Sequence, residues 1–464
     1  MEYQTVHERF LELEADLELF SRRIDGVPFW ERVRFEVHKT VVRETTAFGQ
    51  AHSDVGLQHG RLRKLSGLVR NLFVRNPYLS PQREIAVLGH GRRKQLEDGQ
   101  WWDLYTDPIL EALELDYVSL EKPHQHTHRK PAKTESLRYL DLVKYGGDLR
   151  RKVAAPTVLT DGDERFLEDV ADAFEAAFGV DLDLTERVRN ELVTRRCRRP
   201  LYRRLFERID PDLVLVVVSY VRETAIEVCK ELAIPVAELQ HGVISPYHAG
   251  YAFPGERPKT TFPDYVLTFG EFWGRTVEFP IPEDRCYPVG YPYLEETATE
   301  YDERTEDQLL FISQGTIGAE LSRFAVELKE LVDDDVVYKL HPGEYDRWRE
   351  SYPWLVDSGV EVVADADLYE LFARSRAQVG VYSTAIYEGL YFGLETYLFD
   401  CPGVSQLQPL VEEGAATVVD SPSELADRLA ADASRATEDV ERFFEPNAID
   451  NVASALERIR RETQ

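Results

Sequence analysis

Leu213-Val214-Leu215-Val216-Val217-Val218 is a run of six aliphatic residues, most of them β-branched. Such a run predicts a strand that is buried on both faces at the centre of a parallel sheet. After it, the apolar residues Ile226, Cys229 and Leu232 have helical spacing, and Ile234-Pro235-Val236-Ala237-Glu238-Leu239 begins a second strand. The segment therefore predicts one βαβ unit and, with it, an α/β fold.

Short apolar runs of the same kind recur on both sides of this unit. We predict further strands beginning near residues 84, 116, 156 and 264, and then near residues 309, 336, 360, 378, 397 and 416. Between these two sets, residues 295–307 are acidic and lack large aliphatic side chains, which is typical of a domain boundary. The pattern predicts two α/β domains.

Helical periodicity marks the first 45 residues, where Phe10 and Phe20 recur with other apolar residues, and a polar loop is predicted for 46–60. We divide the chain into an N-terminal helical region over residues 1–80, a first α/β domain over 81–300 and a second over 301–464. Helices near 422–434 and 448–462 close the chain. We expect the last helix to cross back to the first domain.

The composition is strongly acidic. The 464 residues include 84 Asp and Glu against 55 Lys and Arg, for a net charge of −29, and no lysine follows Lys339. Acid spread over a whole chain, with arginine preferred to lysine, resembles the surface of a halophilic, salt-adapted protein. Such a charge repels nucleic acid, so we expect no nucleic-acid partner.

Cysteine usage and hydropathy predict a cytoplasmic protein. The four cysteines are far apart and form no CxxC pair, which favours a reducing compartment and argues against a zinc site. The N-terminal residues show no signal pattern, and no apolar run approaches the ~18 residues of a membrane span.

Two segments of the second half place polar residues where a strand gives way to a helix. His341-Pro342 follows the apolar run that begins near residue 336, and Ser383-Thr384 follows the run that begins near residue 378. The carboxyl ends of parallel strands form the ligand crevice of α/β sheets, and a helix starting near Thr384 would offer backbone N–H groups to a phosphate. Glu388 could accept hydrogen bonds from a ribose. Each residue alone could equally be a helix cap, a solvated carboxylate or a loop histidine.

Gln240-His241-Gly242 ends the βαβ unit of the first half. A histidine at a strand's end, followed by glycine, would be well placed to deprotonate an acceptor hydroxyl, so we predict His241 as a general base. Tyr247 and His248 follow as candidates for stacking on an acceptor. The alternative is a loop histidine that is satisfied by its neighbours.

The stretches Tyr338-Lys339-Leu340-His341-Pro342-Gly343-Glu344 and Tyr382-Ser383-Thr384-Ala385-Ile386-Tyr387-Glu388-Gly389 together resemble the donor-binding half of GT-B glycosyltransferases. Within that superfamily the chain is most similar to the capsular-polysaccharide, sialyltransferase-like and CDP-glycerol glycerophosphotransferase-like families, over residues 210 to 430. The resemblance implies two Rossmann-like domains facing a central cleft, with the N-terminal helices as an extension.

The resemblance also implies roles for single residues. His341, Pro342, Ser383 and Thr384 would contact the phosphates of a nucleotide-activated donor, and Glu388 would line its ribose. Gly315 and Thr316, after the first strand of the second domain, would approach the donor diphosphate. His241 would be the general base, and Arg92 and Arg93 would meet a charged acceptor.

Two departures from the family pattern narrow the assignment. Sialyltransferase-like proteins place their base in an acidic pair followed by glycine, whereas this chain offers only Asp161-Gly162-Asp163-Glu164, so Asp161 is a reserve base. The arginine-threonine-glutamate-arginine-type signature of hydrolysing sugar-nucleotide 2-epimerases is missing.

We therefore predict a transferase that moves a glycosyl group from a nucleotide-activated sugar to a surface-polysaccharide or glycan precursor. The alternatives are a CDP-glycerol-type polyol-phosphate transferase and a non-catalytic nucleotide-sugar or glycan-binding scaffold. We expect no cofactor beyond the donor. We also expect no metal, because we identify no Asp-x-Asp motif after a strand in the second half, and because His341, Ser383 and the helix dipole would carry the charge of the leaving group.

Residues 61–76 are basic in an otherwise acidic chain, with leucines on one helical face. Such a helix can lie on an anionic bilayer, and a lipid-linked acceptor would require contact with the inner membrane face. The alternative is a helix packed on the domain. His124, His126 and His128 could bind a metal, but we interpret them as a solvated loop.

Overall fold

The computed structural model describes residues 2–45, 60–91, 93–153, 159–301, 308–401, 403–431 and 439–463. The predicted acceptor residue Arg92 and nearly all of the predicted loop at 46–60 lie outside these residues. The side chains of residues 60–63 are not described either.

Seven parallel strands form the first sheet, in the order β5-β4-β1-β6-β7-β8-β9. They are β1 (Ile85–Leu88), β4 (Tyr117–Glu121), β5 (Leu137–Tyr139), β6 (Leu213–Val216), β7 (Val236–Leu239), β8 (Tyr265–Thr268) and β9 (Cys286–Pro288), with β2 (Lys94–Gln95) and β3 (Trp101–Trp102) as a separate antiparallel pair. The aliphatic run from Leu213 thus forms the central strand, which confirms the prediction.

Six parallel strands form the second sheet, in the order β12-β11-β10-β13-β14-β15. They are β10 (Gln308–Ile312), β11 (Asp335–Lys339), β12 (Glu361–Val363), β13 (Ser375–Gly380), β14 (Glu395–Phe399) and β15 (Thr417–Val419). Because β11 and β13 flank β10, the loops that follow these three strands leave the same edge of the sheet.

Helices cover both sheets. Those that precede the second sheet are α1 (Tyr3–Asp16), α2 (Trp30–Thr45), α3 (Gly60–Asn71), α4 (Asp107–Ala112), α5 (Asp141–Val153), α6 (Asp161–Phe178), α7 (Leu184–Ile209), α8 (Glu223–Glu231), α9 (Glu271–Thr276) and α10 (Pro292–Ala298). The others are α11 (Gly318–Lys329), α12 (Trp348–Ser351), α13 (Leu368–Arg374), α14 (Thr384–Tyr391), α15 (Gln408–Glu412), α16 (Pro422–Ala430) and α17 (Ala448–Thr463). No described helix is long and apolar enough to cross a membrane.

Helix α17 returns to the first domain, as predicted. Its buried residues Val452, Leu456 and Ile459 share a core with strands β1, β6, β8 and β9. At its C-terminal end, Arg460 forms an ion pair with Glu84 at 2.9 Å. The last helix therefore packs on the sheet of the first domain, although it follows the second domain in the sequence.

The strand predicted from residue 156 lies mostly outside the described residues. Leu159 and Thr160 lead directly into α6, and the Thr160 hydroxyl caps that helix by accepting a hydrogen bond from the Asp163 amide at 3.2 Å. Asp161, the reserve base, is the first residue of α6 and is exposed.

The N-terminal helices belong to a larger helical layer. Phe10 of α1, Trp30 of α2, Phe174 of α6 and Leu192 of α7 are all buried in one core. The helical region predicted for residues 1–80 is therefore joined by two later helices, and the boundaries at 80 and 300 stay predictions.

A buried ion pair connects this layer to the first sheet. Arg34 is completely buried and donates to Glu14 at 2.6 Å. The same guanidinium donates to the carbonyl oxygens of Ala249 and Ala252, at 2.7 and 2.8 Å. Helices α1 and α2 thus fix the segment that follows His241.

Candidate active site

Three loops of the second domain meet at the carboxyl edge of its sheet. His341 follows β11, Gly315 and Thr316 follow β10, and Ser383 follows β13. The Thr316 hydroxyl hydrogen-bonds to the hydroxyl of Tyr382, which ties the middle loop to the end of β13. The predicted donor-binding residues of the second domain therefore lie along one edge.

Helix α14 begins in this crevice. Ser383 is its N-cap, and its hydroxyl accepts a hydrogen bond from the Ala385 amide at 3.2 Å. Further along the helix, Tyr387 packs on Trp273 of α9 in the first domain, with ring centroids 4.5 Å apart. The helix is held at both points, so the amides of its first turn have a fixed direction.

The two domains touch where the sequence analysis placed the reaction. The Val243 amide of the first domain donates to the Thr384 hydroxyl of the second at 3.3 Å. A Cβ at Gly242 would lie 3.0 Å from the same oxygen, so a side chain there would crowd the contact. His241-Gly242 therefore lies directly against the start of α14.

The His341 ring is exposed at the edge of the crevice, and its loop is rigidly held. Its Nδ1 accepts a hydrogen bond from the Gly343 amide at 3.1 Å, which leaves the proton of the neutral ring on Nε2. The His341 amide donates to Glu344 at 2.7 Å, and Pro342 opens the short turn between them. His341 is thus suited to donate a hydrogen bond to an anion.

Glu388 lies one turn into α14 and is half-buried. Burial raises the pKa of its carboxyl to about 7, and a hydrogen bond with Tyr369 opposes this rise. Next to it, Gly389 has no room for a side chain, because a Cβ would lie 2.2 Å from the Gln378 amide group. The glycine lets α14 approach β13 closely and sets the position of Glu388.

A hydrogen-bonded chain runs behind His241. The Tyr251 hydroxyl donates to the Glu238 carboxylate and lies 3.3 Å from His241 Nδ1. Burial and the nearby Glu238 hold the pKa of Tyr251 well above its ordinary value, so the phenol keeps its proton. Since that proton is donated to Glu238, the phenol oxygen accepts from Nδ1–H of the imidazole. This tautomer leaves Nε2 of His241 able to take a proton.

Aromatic rings surround His241, and one of them is a histidine that the sequence analysis missed. His90, at the carboxyl end of β1, stacks on His241 with ring centroids 5.8 Å apart. Tyr105 and Tyr220 lie 6.2 and 6.4 Å from the same ring. The signal for His90 was the same as for His241, a histidine directly after a strand.

Arg93, one of the predicted acceptor residues, lies in the interior of the first domain. The Arg93 side chain is buried and pairs with Glu121 at 2.7 Å, so its guanidinium stabilises the interior. This burial corrects the assignment of Arg93 to the acceptor. The neighbouring Lys94 reaches Asp367 of the second domain at 3.3 Å.

Tyr247 and His248 support the site from behind. The Tyr247 ring packs on His7 of α1, with centroids 5.4 Å apart. The His248 Nδ1 accepts a hydrogen bond from the Gly250 amide at 3.1 Å, and burial lowers the pKa of this imidazole to about 4. His248 also packs on Tyr251 at 4.8 Å, so it positions the hydrogen-bonded chain.

The candidate metal ligands of the sequence have other partners. His128 lies between the carboxylates of Glu121 and Asp141, and its Nε2 is 2.6 Å from Asp141. Asp365-Ala366-Asp367 is an Asp-x-Asp sequence that follows β12, so the expectation that no such motif follows a strand in the second half was wrong. Its Asp367 caps α13 by accepting a hydrogen bond from the Tyr369 amide. Among the described residues, no group of three or more His, Cys, Asp or Glu is placed to hold a metal.

We expect the free energy of unfolding of the Glu388→Gln variant to depend less on pH than that of the wild type. The folded-state pKa of about 7 exceeds the ordinary value of 4.5. The native state therefore binds more protons in this window, and the free energy of unfolding falls as the pH rises through it. Urea unfolding should show Glu388→Gln gaining about 2 kcal/mol relative to the wild type between about pH 5 and pH 8. The exposed control Glu330→Gln should show no such gain, and an equal gain would contradict the assignment.

Comparisons with known proteins give similarity of fold only. No protein-family model matches the chain, and no curated protein matches it. UDP-GlcNAc 2-epimerase from Neisseria meningitidis, bound to UDP-GlcNAc, is 14% identical, with a TM-score of 0.48 over 81% of this chain and 99% of its own. The 2-epimerase from Methanocaldococcus jannaschii is 12% identical, with a TM-score of 0.46 over the same shares.

The wall teichoic acid polymerase TagF, soaked with CDPG, is 11% identical, with a TM-score of 0.40 over 88% of this chain and 99% of its own. At such identities the substrates of these proteins do not transfer to this chain. The fold follows from the two parallel sheets, the contacts between their facing edges and the returning last helix. The chain thus has the GT-B architecture, with two Rossmann-like domains that open on one cleft.

Proposed function

We propose that this protein is a transferase that moves a glycosyl group from a nucleotide-activated sugar to a surface-polysaccharide or glycan precursor. The observation that carries the proposal is the contact between the Val243 amide and the Thr384 hydroxyl. It brings a candidate base in one domain against a candidate phosphate site in the other. Nucleotide-binding α/β domains place their ligands at this edge of the sheet.

The donor diphosphate would lie at the start of α14. Ser383, Thr384 and the amides of the first helical turn would bind its oxygens, with Gly315 and Thr316 beside them. His341 would donate from Nε2 to the phosphate that leaves. Glu388 would accept from the ribose hydroxyls when it is ionised, above its pKa of about 7.

The acceptor hydroxyl would approach from the first domain. Nε2 of His241 would take the hydroxyl proton while the acceptor oxygen forms a bond to the anomeric carbon of the donor. The bond between that carbon and the phosphate oxygen would break, and the nucleotide diphosphate would leave with the electron pair. Tyr251 and Glu238 would stabilise the resulting imidazolium through Nδ1.

A polyol-phosphate transferase of the CDP-glycerol type is the alternative reaction. The same base would activate a hydroxyl, but attack would occur at phosphorus and the nucleoside monophosphate would leave. A non-catalytic scaffold is the alternative of a different class. The ordered chain from Glu238 through Tyr251 to His241 argues against it, because binding alone does not require a fixed imidazole tautomer.

We further propose that the protein acts in the cytoplasm and contacts the inner membrane face through α3 and its neighbour α5. Of the eleven large apolar side chains exposed in the described chain, eight lie on these helices or in residues 72–79, which follow α3: Leu65, Val69, Leu72, Phe73, Val74, Leu79, Leu149 and Val153. Phe73 is 81% exposed and Val153 is 82% exposed. Apolar groups in this number favour a lipid-facing surface.

Cations border the same surface. Within the described residues, Lys64, Arg70, Arg75, Lys130, Arg150, Arg151 and Lys152 have no carboxylate within 4 Å, whereas most arginines elsewhere are paired. In a protein of net charge −29, unpaired cations beside exposed apolar groups are complementary to anionic lipid.

The proposed donor site predicts that the protein binds a nucleotide. Calorimetric titration at high salt with CMP, CDP, UDP, GDP, dTDP and their sugar or glycerol conjugates should identify one nucleotide that binds. His341→Ala should weaken that binding about tenfold through loss of a charge-assisted hydrogen bond. His126→Ala, which changes a histidine of the first domain, is the control and should bind normally. Failure of every nucleotide to bind would refute the transferase proposal and favour the scaffold.

Turnover is the second prediction. With the donor identified, His241→Ala should lower turnover about a hundredfold or more while donor affinity stays within about twofold, because only proton transfer is lost. Tyr251→Phe should give a smaller loss. Full turnover in His241→Ala would exclude this histidine as the base. Activity that disappears with a chelator and returns with magnesium would overturn the expected metal independence.

Membrane contact is the third prediction. The wild type should sediment with vesicles that contain about 30% phosphatidylglycerol and much less with purely zwitterionic vesicles. Phe73→Glu should reduce the bound fraction several-fold, because it puts a charge on the apolar surface. Leu331→Glu is the matched control, since Leu331 is 54% exposed in the second domain. Equal sedimentation of the two variants, or none by the wild type, would contradict the proposal.

A further inference from the structure

A cavity of about 320 Å³ lies at the carboxyl ends of β1, β4 and β6, in the first domain. Its walls include His90 after β1, Lys122 after β4, Arg222 after β6 and Lys144 on α5. No carboxylate lines the cavity among the described residues. Two lysines and an arginine thus share a small space in a protein that is otherwise strongly acidic.

Arg222 has unmet hydrogen-bonding capacity. Arg222 is 6% exposed, and its Nη2 donates to the Gly89 carbonyl at 2.5 Å. Its Nε and Nη1 have no partner among the described residues. Buried donors without an acceptor are costly, and guanidinium groups fit phosphate oxygens in a bidentate way. Arg222 therefore has two buried donors that an anion could accept from.

The two lysines are equally short of negative partners. Lys122 donates to the Val221 carbonyl at 2.8 Å, and Lys144 is 3.4 Å from the Pro123 carbonyl. Within the described chain, neither ammonium has a carboxylate within 4 Å. Burial lowers the pKa of both lysines, and the surrounding cations, Arg198 among them, lower it further. More distant carboxylates, Glu223 for Lys122 and Asp148 for Lys144, oppose this shift in pKa. An anion in the cavity would raise the pKa of both lysines.

The backbone that builds the cavity is strained. Val218 follows β6 and lines the wall with φ of 66° and ψ of 72°, a left-handed conformation that is rare for a β-branched residue. Strain of this kind persists where function requires it. At this position it turns the chain out of the central strand and into the short segment that carries Arg222.

We propose that this cavity binds a phosphate group carried by the acceptor. The inference rests on the proposed transferase function and deepens it by assigning a chemical class to the acceptor. His90 connects the cavity to the reaction, because its ring both lines the cavity and stacks on His241. A phosphate held by Lys122, Lys144 and Arg222 would place a nearby acceptor hydroxyl at the base.

Helix α5 connects the cavity with the apolar surface described above. Lys144 lies in the cavity, and Val153 is exposed at the C-terminal end of the same helix, nine residues later. This separation corresponds to about 14 Å along the helix axis. The phosphate could therefore belong to a lipid carrier or to a soluble acceptor, and two probes distinguish these sources.

Phosphate binding tests the inference. Inorganic phosphate, titrated into the full chain at constant ionic strength and followed by calorimetry, should bind about tenfold more weakly to Lys122→Gln and to Lys144→Gln than to the wild type. Lys133→Gln is the matched control, since Lys133 forms an exposed ion pair with Glu111. It should bind like the wild type. Two lysine variants are used so that the inference does not depend on the folding of an Arg222 variant.

The donor site must be separated from this cavity. His341→Ala should leave phosphate binding unchanged, and Lys144→Gln should leave nucleotide binding unchanged. Phosphate binding that is lost in His341→Ala and kept in both lysine variants would overturn the inference alone, since it would place the phosphate at the donor site. If the wild type binds no nucleotide, the proposed function would instead be refuted.

Geranyl phosphate is the second probe. Tighter binding than inorganic phosphate, with the same loss in Lys122→Gln and Lys144→Gln, would support a phosphate on a lipid carrier. Binding equal to that of inorganic phosphate, with the same loss, would support a soluble phosphorylated acceptor. Binding of either probe that is unchanged in both lysine variants would overturn the inference.

Discussion

The contact between the Val243 amide and the Thr384 hydroxyl is the interaction on which the candidate site depends. It forms between two domains whose sheets share no strand, and Gly242 lies at the point of closest approach, where a side chain would crowd it. Tyr387 packs on Trp273 one turn further along α14 and holds the helix in this position. Without these contacts, the candidate base and the candidate phosphate site would lie on separate surfaces.

The N-terminal helices are part of the support of this site. The buried Arg34 joins Glu14 of α1 to the carbonyl groups of Ala249 and Ala252. Those carbonyls flank Tyr251, whose hydroxyl lies between Glu238 and His241. Buried charges are tolerated only when they are paired and hydrogen-bonded. Here Nε and Nη2 of Arg34 donate to Glu14, and Nη1 donates to the two carbonyl groups of the segment that it orders. The helical layer thus positions the candidate base.

Charge is distributed unevenly over the protein. Most arginines pair with the abundant carboxylates, as the bidentate pair of Arg376 with Asp334 shows. Among the described cations that have no carboxylate within 4 Å, two groups lie near α5: those of the cavity, Lys122, Lys144 and Arg222, and those on the surface of α3 and α5. Both lie in the first domain and both involve α5. Because the rest of the surface is acidic, these are the places where an anionic acceptor or an anionic membrane would be attracted.

The sequence by itself determined most of the strands, because each needs only a short apolar run, and the carboxyl ends of those runs located His241, His341 and Ser383. Strand β5 was missed, since it has only three residues and its centre is Arg138. The sequence also determined that the fold has two α/β domains. The tertiary structure alone decided which side chains share a space. Arg93 and Lys122 are both cations after strands of the first sheet, yet one is neutralised by Glu121 and the other is not. Likewise, His90 and His241 lie 151 positions apart and stack because β1 and β7 both flank β6. Local patterns encode burial and periodicity, whereas pairing between distant side chains depends on strand order and domain contact, which no local pattern contains.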